Sequence, residues 1–395
     1  MTVIVDKNAN YNKQEEFFMR VIGKLALALV TAVGFGAFGE PALAQEIPIG
    51  VPMALTGPYA FVGVPARNGI VLALEEANAN GVLGAARIKI IGEDTASDKS
   101  QAITLTNRLA TGDKVLMMLG PTSSIEGLAA APVANDLKLP MLTTAISGDV
   151  LKAGPWSYKI TASPADIVTA FGKYAVEQLK LKRTIFIYNR DNDGFVGQKN
   201  VMRDAMKAGG AEVVSEEGIL GSDSDFVALS TKLAGSNADS IYIASPAEQG
   251  ANIVIQARQS GLGDKVVILA PPAMASQAFI KTGGKAIEGT IVVADYFVGG
   301  TSDINKTFIA AYQKKYGQVP DNWAAVGYAL GSVAVQVLKL AGPNADREAV
   351  RAAFSRLGQM PTVLGNGTFL LDANRAPQYG AAILTVRNGQ FAAVQ

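Results

Sequence analysis

From Ile47 to Leu269 the chain alternates short apolar runs with longer amphipathic ones, almost without interruption. Ile47–Leu55 reads as a strand, Pro65–Asn80 as a helix, Arg87–Gly92 as a strand and Lys99–Thr111 as a helix. Val115–Leu119 and the run ending near Thr143 add two strands around a helix over Ser124–Asp136. After Lys159–Pro164 the rhythm restarts. Helices Ala165–Leu179, Gly197–Ala208, Phe226–Ala234 and Gln249–Ser260 are set among strands Thr184–Tyr188, Ala211–Ser215, Ser240–Ile243 and Val266–Leu269. Alternation of β and α with short turns dictates parallel sheets covered on both faces by helices.

Past Gly289–Asp295 the rhythm changes: three helices (Ser302–Tyr316, Trp323–Ala341, Arg347–Leu357) precede two strand-like runs, Gly367–Leu371 and Ala381–Val386. The helices are expected to return to a first lobe and the terminal strands to close a second. The fold class is therefore α/β, two doubly wound lobes joined by three connections near Ser163, Ala294 and Asp372. Residues 45–163 plus 295–372 form the first lobe and 164–294 plus 373–395 the second. Three connections make a hinge that bends without letting the lobes part. Two lobes also suit a folded chain of roughly 350 residues, more than one core comfortably holds.

Residues 1–44 stand outside this pattern. Arg20 and Lys24 precede an apolar run from Leu25 to Phe38, and Ala42-Leu43-Ala44 is a small-x-small cleavage site. The segment reads as a cleavable signal peptide, with the mature chain starting at Gln45 and Met1–Phe18 a patternless extension before Met19. The chain has no cysteine, hence no disulfide framework and no lipid-acceptor thiol, which points to the periplasm. Lys+Arg 35 against Asp+Glu 34, with no basic stripe, excludes nucleic acid as a partner.

The stretch Val115–Ser147 carries the candidate site. Its strand and Gly-Pro turn lead to Ser123 and Ser124 at a helix mouth, and the next strand ends in the small polar turn Thr143–Ser147. Free N–H groups and hydroxyls at a helix start attract a carboxylate, and a second turn at a neighbouring strand end faces the same crevice. Plain helix capping is the other role open to both serines.

Several pieces resemble the type I solute-binding proteins of ABC transporters, in the leucine/isoleucine/valine-binding family. They are Leu55-Thr56-Gly57-Pro58, Gly69, Glu93-Asp94, Gly120-Pro121-Thr122-Ser123-Ser124 and Gln256-Ala257-Arg258-Gln259-Ser260-Gly261-Leu262, in family order and spacing. The resemblance implies a two-lobed trap, a monomer, that closes on a small molecule and presents it to an ABC permease in the inner membrane. It also implies that the ligand's carboxylate is held at the positions of Ser124, Ala145 and Ser147. Members that bind amino acids hold the α-ammonium with a tyrosine and a glutamate, and those positions fall on Pro246 and Pro271. Proline offers neither an acceptor side chain nor an N–H, and a buried ammonium without acceptors costs several kcal/mol. A different register would let Glu248 or Asp193 serve instead.

The expected ligand is thus a carboxylate without an α-amino group. Phe61, Tyr59 and Phe195, with Tyr296-Phe297 at a crossover, supply aromatic surface for a flat ring, although local packing is an equal alternative for each. Arg190 and Asp193, in the loop after Thr184–Tyr188, are placed to meet a ring hydroxyl or a second carboxylate. An aromatic acid of the benzoate or cinnamate kind fits best; a branched-chain amino-acid binder and a periplasmic sensor feeding a signalling receptor are the alternatives. No metal or cofactor is expected. With no histidine in the chain the usual catalytic base is gone, and no G-x-S-x-G, P-loop or G-x-G-x-x-G motif is present. Glu75-Glu76 and Glu216-Glu217 are adjacent in sequence and diverge on a helix or strand, so they make no acid–base pair. The chain reads as a binder, not an enzyme.

Overall fold

A computed structural model describes residues 45–394, so the leader expected over 1–44 lies outside the described residues. Strands β1 (Glu46–Met53), β2 (Arg87–Asp94), β3 (Met117–Leu119), β4 (Met141–Thr143) and β5 (Ser157–Lys159) form one parallel sheet in the order β2-β1-β3-β4-β5. Ile49 of β1 stands opposite Ile90 on one side and Met117 on the other. Helices α1 (Ala60–Ala79), α2 (Lys99–Thr111) and α3 (Ser124–Asp136) connect these strands. β3 and β4 are buried throughout, as strands covered on both faces must be.

A second sheet takes β6 (Arg183–Asn189), β7 (Glu212–Ile219), β8 (Ser240–Ala244), β9 (Val267–Ala270) and β10 (Ile291–Ala294) in parallel. Their connections are α5 (Asp193–Ala208), α6 (Val227–Ala234), α7 (Ala247–Gln259) and α8 (Gln277–Gly283), and α4 (Pro164–Glu177) leads into β6. The final hairpin, β14 (Ala382–Arg387) and β15 (Gln390–Ala393), adds to the edge, with Val292 of β10 opposite Leu384 of β14 in antiparallel register.

Three helices follow β10: α9 (Asp303–Tyr316), α10 (Asn322–Ala341) and α11 (Arg347–Ser355). α10 is apolar and long enough to cross a membrane, yet its faces are spent on the interior, where it lies against α1. A Cβ on Gly69 would stand 2.1 Å from the Ala324 carbonyl oxygen, and one on Gly327 would stand 2.0 Å from that of Ala66. The two helices therefore cross backbone to backbone, which only glycine allows. α9 and α10 thus lie against α1, and α10 also reaches β3 of the first sheet.

The structure corrects three local expectations. Gly367–Leu371 does not close the second sheet: β12 (Thr368–Leu371) pairs with β11 (Met360–Pro361) and β13 (Pro377–Gln378) in a small sheet of its own. α1 starts at Ala60 rather than Pro65; proline is favoured in a first turn, and the sequence reading stopped there. α5 starts at Asp193 rather than Gly197, because Asn192 caps it by accepting the Gly194 N–H at 2.8 Å. Asp193 and Phe195 are therefore helical, not loop, residues.

One buried polar cluster joins Ala162, Asp295, Asn322, Gly365 and Tyr379, which are far apart in the chain. The Tyr379 hydroxyl accepts from the Ala162 N–H at 2.7 Å and donates to Asp295 Oδ1 at 2.6 Å. Asn322 Oδ1 accepts the N–H groups of Asp295 (2.8 Å) and Tyr296 (3.0 Å), and its Nδ2 donates to Asp295 Oδ2 at 3.2 Å. The Gly365 N–H bonds the Asp295 carbonyl at 2.8 Å. Burial pushes the Asp295 carboxyl above the ordinary carboxylate range, against these donors and the Lys159 charge.

Candidate functional site

The strand ends of the first sheet meet α5 of the second at a cavity lined by Tyr59, Phe61, Ser123, Ser124, Ile146 and Asn192, with Phe195, Ala273 and Trp323 completing its walls. Hydroxyls organise the first wall. Thr122 Oγ1 accepts from the Ala54 N–H at 2.8 Å, and Thr144 Oγ1 donates to the Thr122 carbonyl at 2.8 Å. These bonds tie the ends of β1 and β4 to the turn before α3.

Ser123 and Ser124 divide the work. Ser123 caps α3 in a reciprocal box: its hydroxyl accepts the Glu126 N–H at 3.3 Å, and Glu126 Oε2 accepts the Ser123 N–H at 2.9 Å. Glu126 is fully buried and also takes the Thr95 hydroxyl. Burial pushes its carboxyl above the usual range despite the Ser123 and Thr95 bonds. Ser124 Oγ instead reaches the next turn, accepting the N–H groups of Ile146 (3.1 Å) and Ser147 (3.0 Å). Both N–H groups are thus spent on the Ser124 oxygen, whose own O–H is left to donate, so a carboxylate would reach the two N–H groups only by taking the place of that oxygen.

The turn itself is braced from behind. The Ala145 N–H bonds Thr143 Oγ1 at 3.0 Å, and the Ala145 carbonyl accepts Thr161 Oγ1 at 2.7 Å. Ser147 spends its hydroxyl on the Asp149 N–H at 3.3 Å, capping the short turn Gly148–Ala153. Beneath the turn lies Lys159, 2 % exposed, whose Nζ donates to the Ile146 carbonyl. Burial pushes this ammonium down to about 7, opposed by Asp295 and then Asp166. A cation therefore stands behind the peptide whose N–H faces Ser124.

The opposite wall is the start of α5. Asn192 Nδ2 donates to the Tyr59 hydroxyl at 2.8 Å, bridging the elements of the two sheets. Burial raises the Tyr59 hydroxyl to about 12. Gly194 lets this helix come close: a Cβ there would stand 2.6 Å from Ser124 Oγ. The cavity between the walls measures about 20 Å³, room for a single water. Entry of any larger molecule requires the walls to separate.

Of the residues expected at the site, Phe61, Ser123, Ser124 and Phe195 line this cavity together. Ala145 and Ser147 flank it, on either side of Ile146 in the same turn. Arg190 and Asp193 are exposed, and neither lines it. Pro246, the residue before α7, and Pro271, before the turn Pro272–Met274, are buried in the second wall behind it; Ala273 is the neighbour that reaches the cavity. Asn192, Ile146 and Trp323 were not singled out from sequence. Asn192 had a signal, an Asn-Asp-Gly run after a strand that reads as a helix cap; Trp323 had none beyond its place at a helix start.

A family model described as periplasmic binding protein matches residues 46–390. The Leu/Ile/Val-binding protein of Escherichia coli (strain K12) is 26 % identical over 349 residues, covering 88 % of this chain and 92 % of that protein. A leucine binding protein from Thermotoga maritima superposes with a TM-score of 0.82 at 27 % identity, covering 88 % and 98 % of the two chains. A solute binding protein of an ABC transporter from Rhodopseudomonas palustris BisB5, in complex with 3,4-dihydroxy benzoic acid, shares the fold with a TM-score of 0.80 at 23 % identity, over 88 % and 96 %. The chain is a solute-binding protein rather than an enzyme, and it belongs to the periplasmic binding protein family.

Proposed function

We propose that this protein is the periplasmic solute-binding subunit of an ABC importer and that it traps a small carboxylate, an aromatic acid of the benzoate or cinnamate kind, for delivery to an inner-membrane permease. Residues 45–163 with 295–372 make one lobe and 164–294 with 373–395 the other, hinged at the three connections that Asp295, Tyr379 and Asn322 tie together. The observation that carries the ligand class is the imbalance of the cavity. At its edge the N–H groups of Ile146 and Ser147 meet the Ser124 oxygen, which leaves the Ser124 O–H to donate. The buried carboxylates beside it, Glu126 and Asp295, are spent on internal bonds. An anion can accept the Ser124 O–H, and the two N–H groups once Ser124 turns away from them; an ammonium finds no free acceptor charge. Phe61, Phe195 and Trp323 supply the flat apolar faces an aromatic ring needs.

A second reading, a branched-chain amino-acid binder, is favoured by the relatives that carry that name. A thermal-shift panel of leucine, valine, glutamate, branched keto acids, benzoate, 4-hydroxybenzoate and 4-coumarate separates the two. A ligand at about 100 times its Kd stabilises by about 2.7 kcal/mol, a shift of a few degrees for a chain this size. The aromatic acids are expected to raise the melting temperature and leucine is not. Stabilisation by leucine or valine, with none by any aromatic acid, would establish the second reading.

A further inference from the structure

Next to the cavity at Ser124 lies a second, smaller one, and Ile146 and Trp323 line both. The second is completed by Thr161, Gln198 and Asp295 among others. Gln198 is 1 % exposed, and neither its amide oxygen nor its amide nitrogen has a hydrogen-bond partner within the protein. Trp323, 2 % exposed, likewise has an unpartnered indole N–H. Nearly all buried polar groups in folded proteins are paired, because an unpaired one carries its full desolvation cost. Three such atoms belong to two residues that line one void, one wall away from Ser124.

The position of Gln198 follows from its helix. Gly194 and Gln198 are four residues apart in α5 and share a face, and Gly194 is the point where that helix presses on Ser124 and Ile146. Gln198 therefore lies one turn deeper along the same wall. The other polar side chains there are spent: Thr161 donates to the Ala145 carbonyl, and Asp295 holds Tyr379 and Asn322. Arg190 and Asp193, which the sequence offered for a second polar group, are exposed.

We propose that Gln198 and Trp323 recognise a ring hydroxyl on the bound acid, so that the ligand class is hydroxylated aromatic acids rather than unsubstituted ones. The assignment rests on the aromatic-acid reading above. A phenol is donor and acceptor at once: its O–H donates to Gln198 Oε1 while its oxygen accepts the Trp323 Nε1–H. A keto group satisfies only the donors, and benzoate satisfies none. With the carboxylate at Ser124 and the hydroxyl beyond Ile146, the ring spans the two cavities once the walls have parted.

Titration calorimetry on the full chain with benzoate, 3-hydroxybenzoate and 4-hydroxybenzoate tests this, in the wild type and in Gln198→Met and Trp323→Phe. The wild type is expected to bind one hydroxybenzoate at least about tenfold more tightly than benzoate, since a site built for a hydroxyl penalises its absence. In Gln198→Met that preference falls toward unity while benzoate affinity stays within about threefold, and in Trp323→Phe the ratio of hydroxybenzoate to benzoate affinity falls toward unity as well. Gln198→Met also removes two orphaned polar atoms, so the ligand-free melting temperature is expected to hold or rise; a packing role for the amide would lower it. Equal wild-type affinity for benzoate and the hydroxybenzoates would overturn the proposal, and would show that an ordered water satisfies the pair. A preference that survives both substitutions would overturn it as well. In either case binding of the acids leaves the aromatic-acid reading standing, whereas no binding of any of the three in the wild type sinks both.

Discussion

Ser124 is the residue on which the proposed anion site turns; the sequence offered it as a hydroxyl at a helix mouth after a Gly-Pro turn, with helix capping as the other use, and the structure gives the cap to Ser123. Its contact with the Ile146 and Ser147 N–H groups was not legible, since it joins positions 22 and 23 residues away through the sheet. Ser124→Ala is expected to weaken carboxylate binding by about 1–3 kcal/mol, the value of one charge-assisted bond. Ser147→Ala is expected to cost less, because that hydroxyl caps a turn and only its N–H faces Ser124. Calorimetric titration of both variants reads the difference; equal affinities for wild type and Ser124→Ala would remove the residue from the site. Lys159 escaped the sequence reading altogether, since nothing local marks a lysine as buried. Its ammonium, held down to about 7 by burial, sits behind the peptide that would meet the ligand's carboxylate. A bound anion favours the charged form and raises that pKa, so above about pH 7 binding takes up a proton. Affinity is therefore expected to be highest below pH 7 and to fall by up to about tenfold per pH unit above it. Titrations between about pH 6 and pH 9 check the sign; a flat profile, or tighter binding at the alkaline end, would contradict it.

At the scale of elements, long periodic segments were read well and their ends poorly. The helix over Ser124–Asp136 was placed to the residue, because Ser123 and Glu126 form a capping box and Leu137 and Lys138 end it before a strand. The start of α5 was missed by four residues: Gly194 and Gly197 look like turn residues, whereas Gly194 is there for the close contact with Ser124. That error had a functional consequence, since it left Asn192 and Gln198 out of the candidate site and put Asp193 into it. β12 was misplaced for a different reason. A four-residue strand carries no information about its partner, and β12 found β11 and β13 instead of the large sheet. Two stability measurements belong here. Ser123→Ala removes a cap and is expected to cost about 1 kcal/mol in denaturant unfolding with binding retained. Gly327→Val drives a side chain into the Ala66 carbonyl and is expected to cost several times more, because neither helix backbone can retreat. Equal costs for the two would show that α1 and α10 can move apart freely.

At the scale of the described residues there are two large sheets and a small third one, and the proposed ligand site draws on elements of both large sheets. The α/β class could be read from the alternation of segments, because burial on two faces leaves so few other solutions. The cluster of Asp295, Asn322 and Tyr379 could not, because its members come from three distant segments. That cluster fastens the connections together while the cavity walls touch through few polar contacts, of which Tyr59 with Asn192 is one. The proposed trap therefore opens at the site by bending at the connections. The absence of cysteine makes it measurable. Val64, 39 % exposed, and the exposed Lys281 line the same groove at the cleft mouth from opposite sides. Spin labels on Val64→Cys and Lys281→Cys report its width by pulsed dipolar spectroscopy. The account predicts a broad distance distribution for the protein alone that collapses to a short, narrow one with 4-hydroxybenzoate and is unmoved by leucine; closure with leucine and none with any aromatic acid would contradict it.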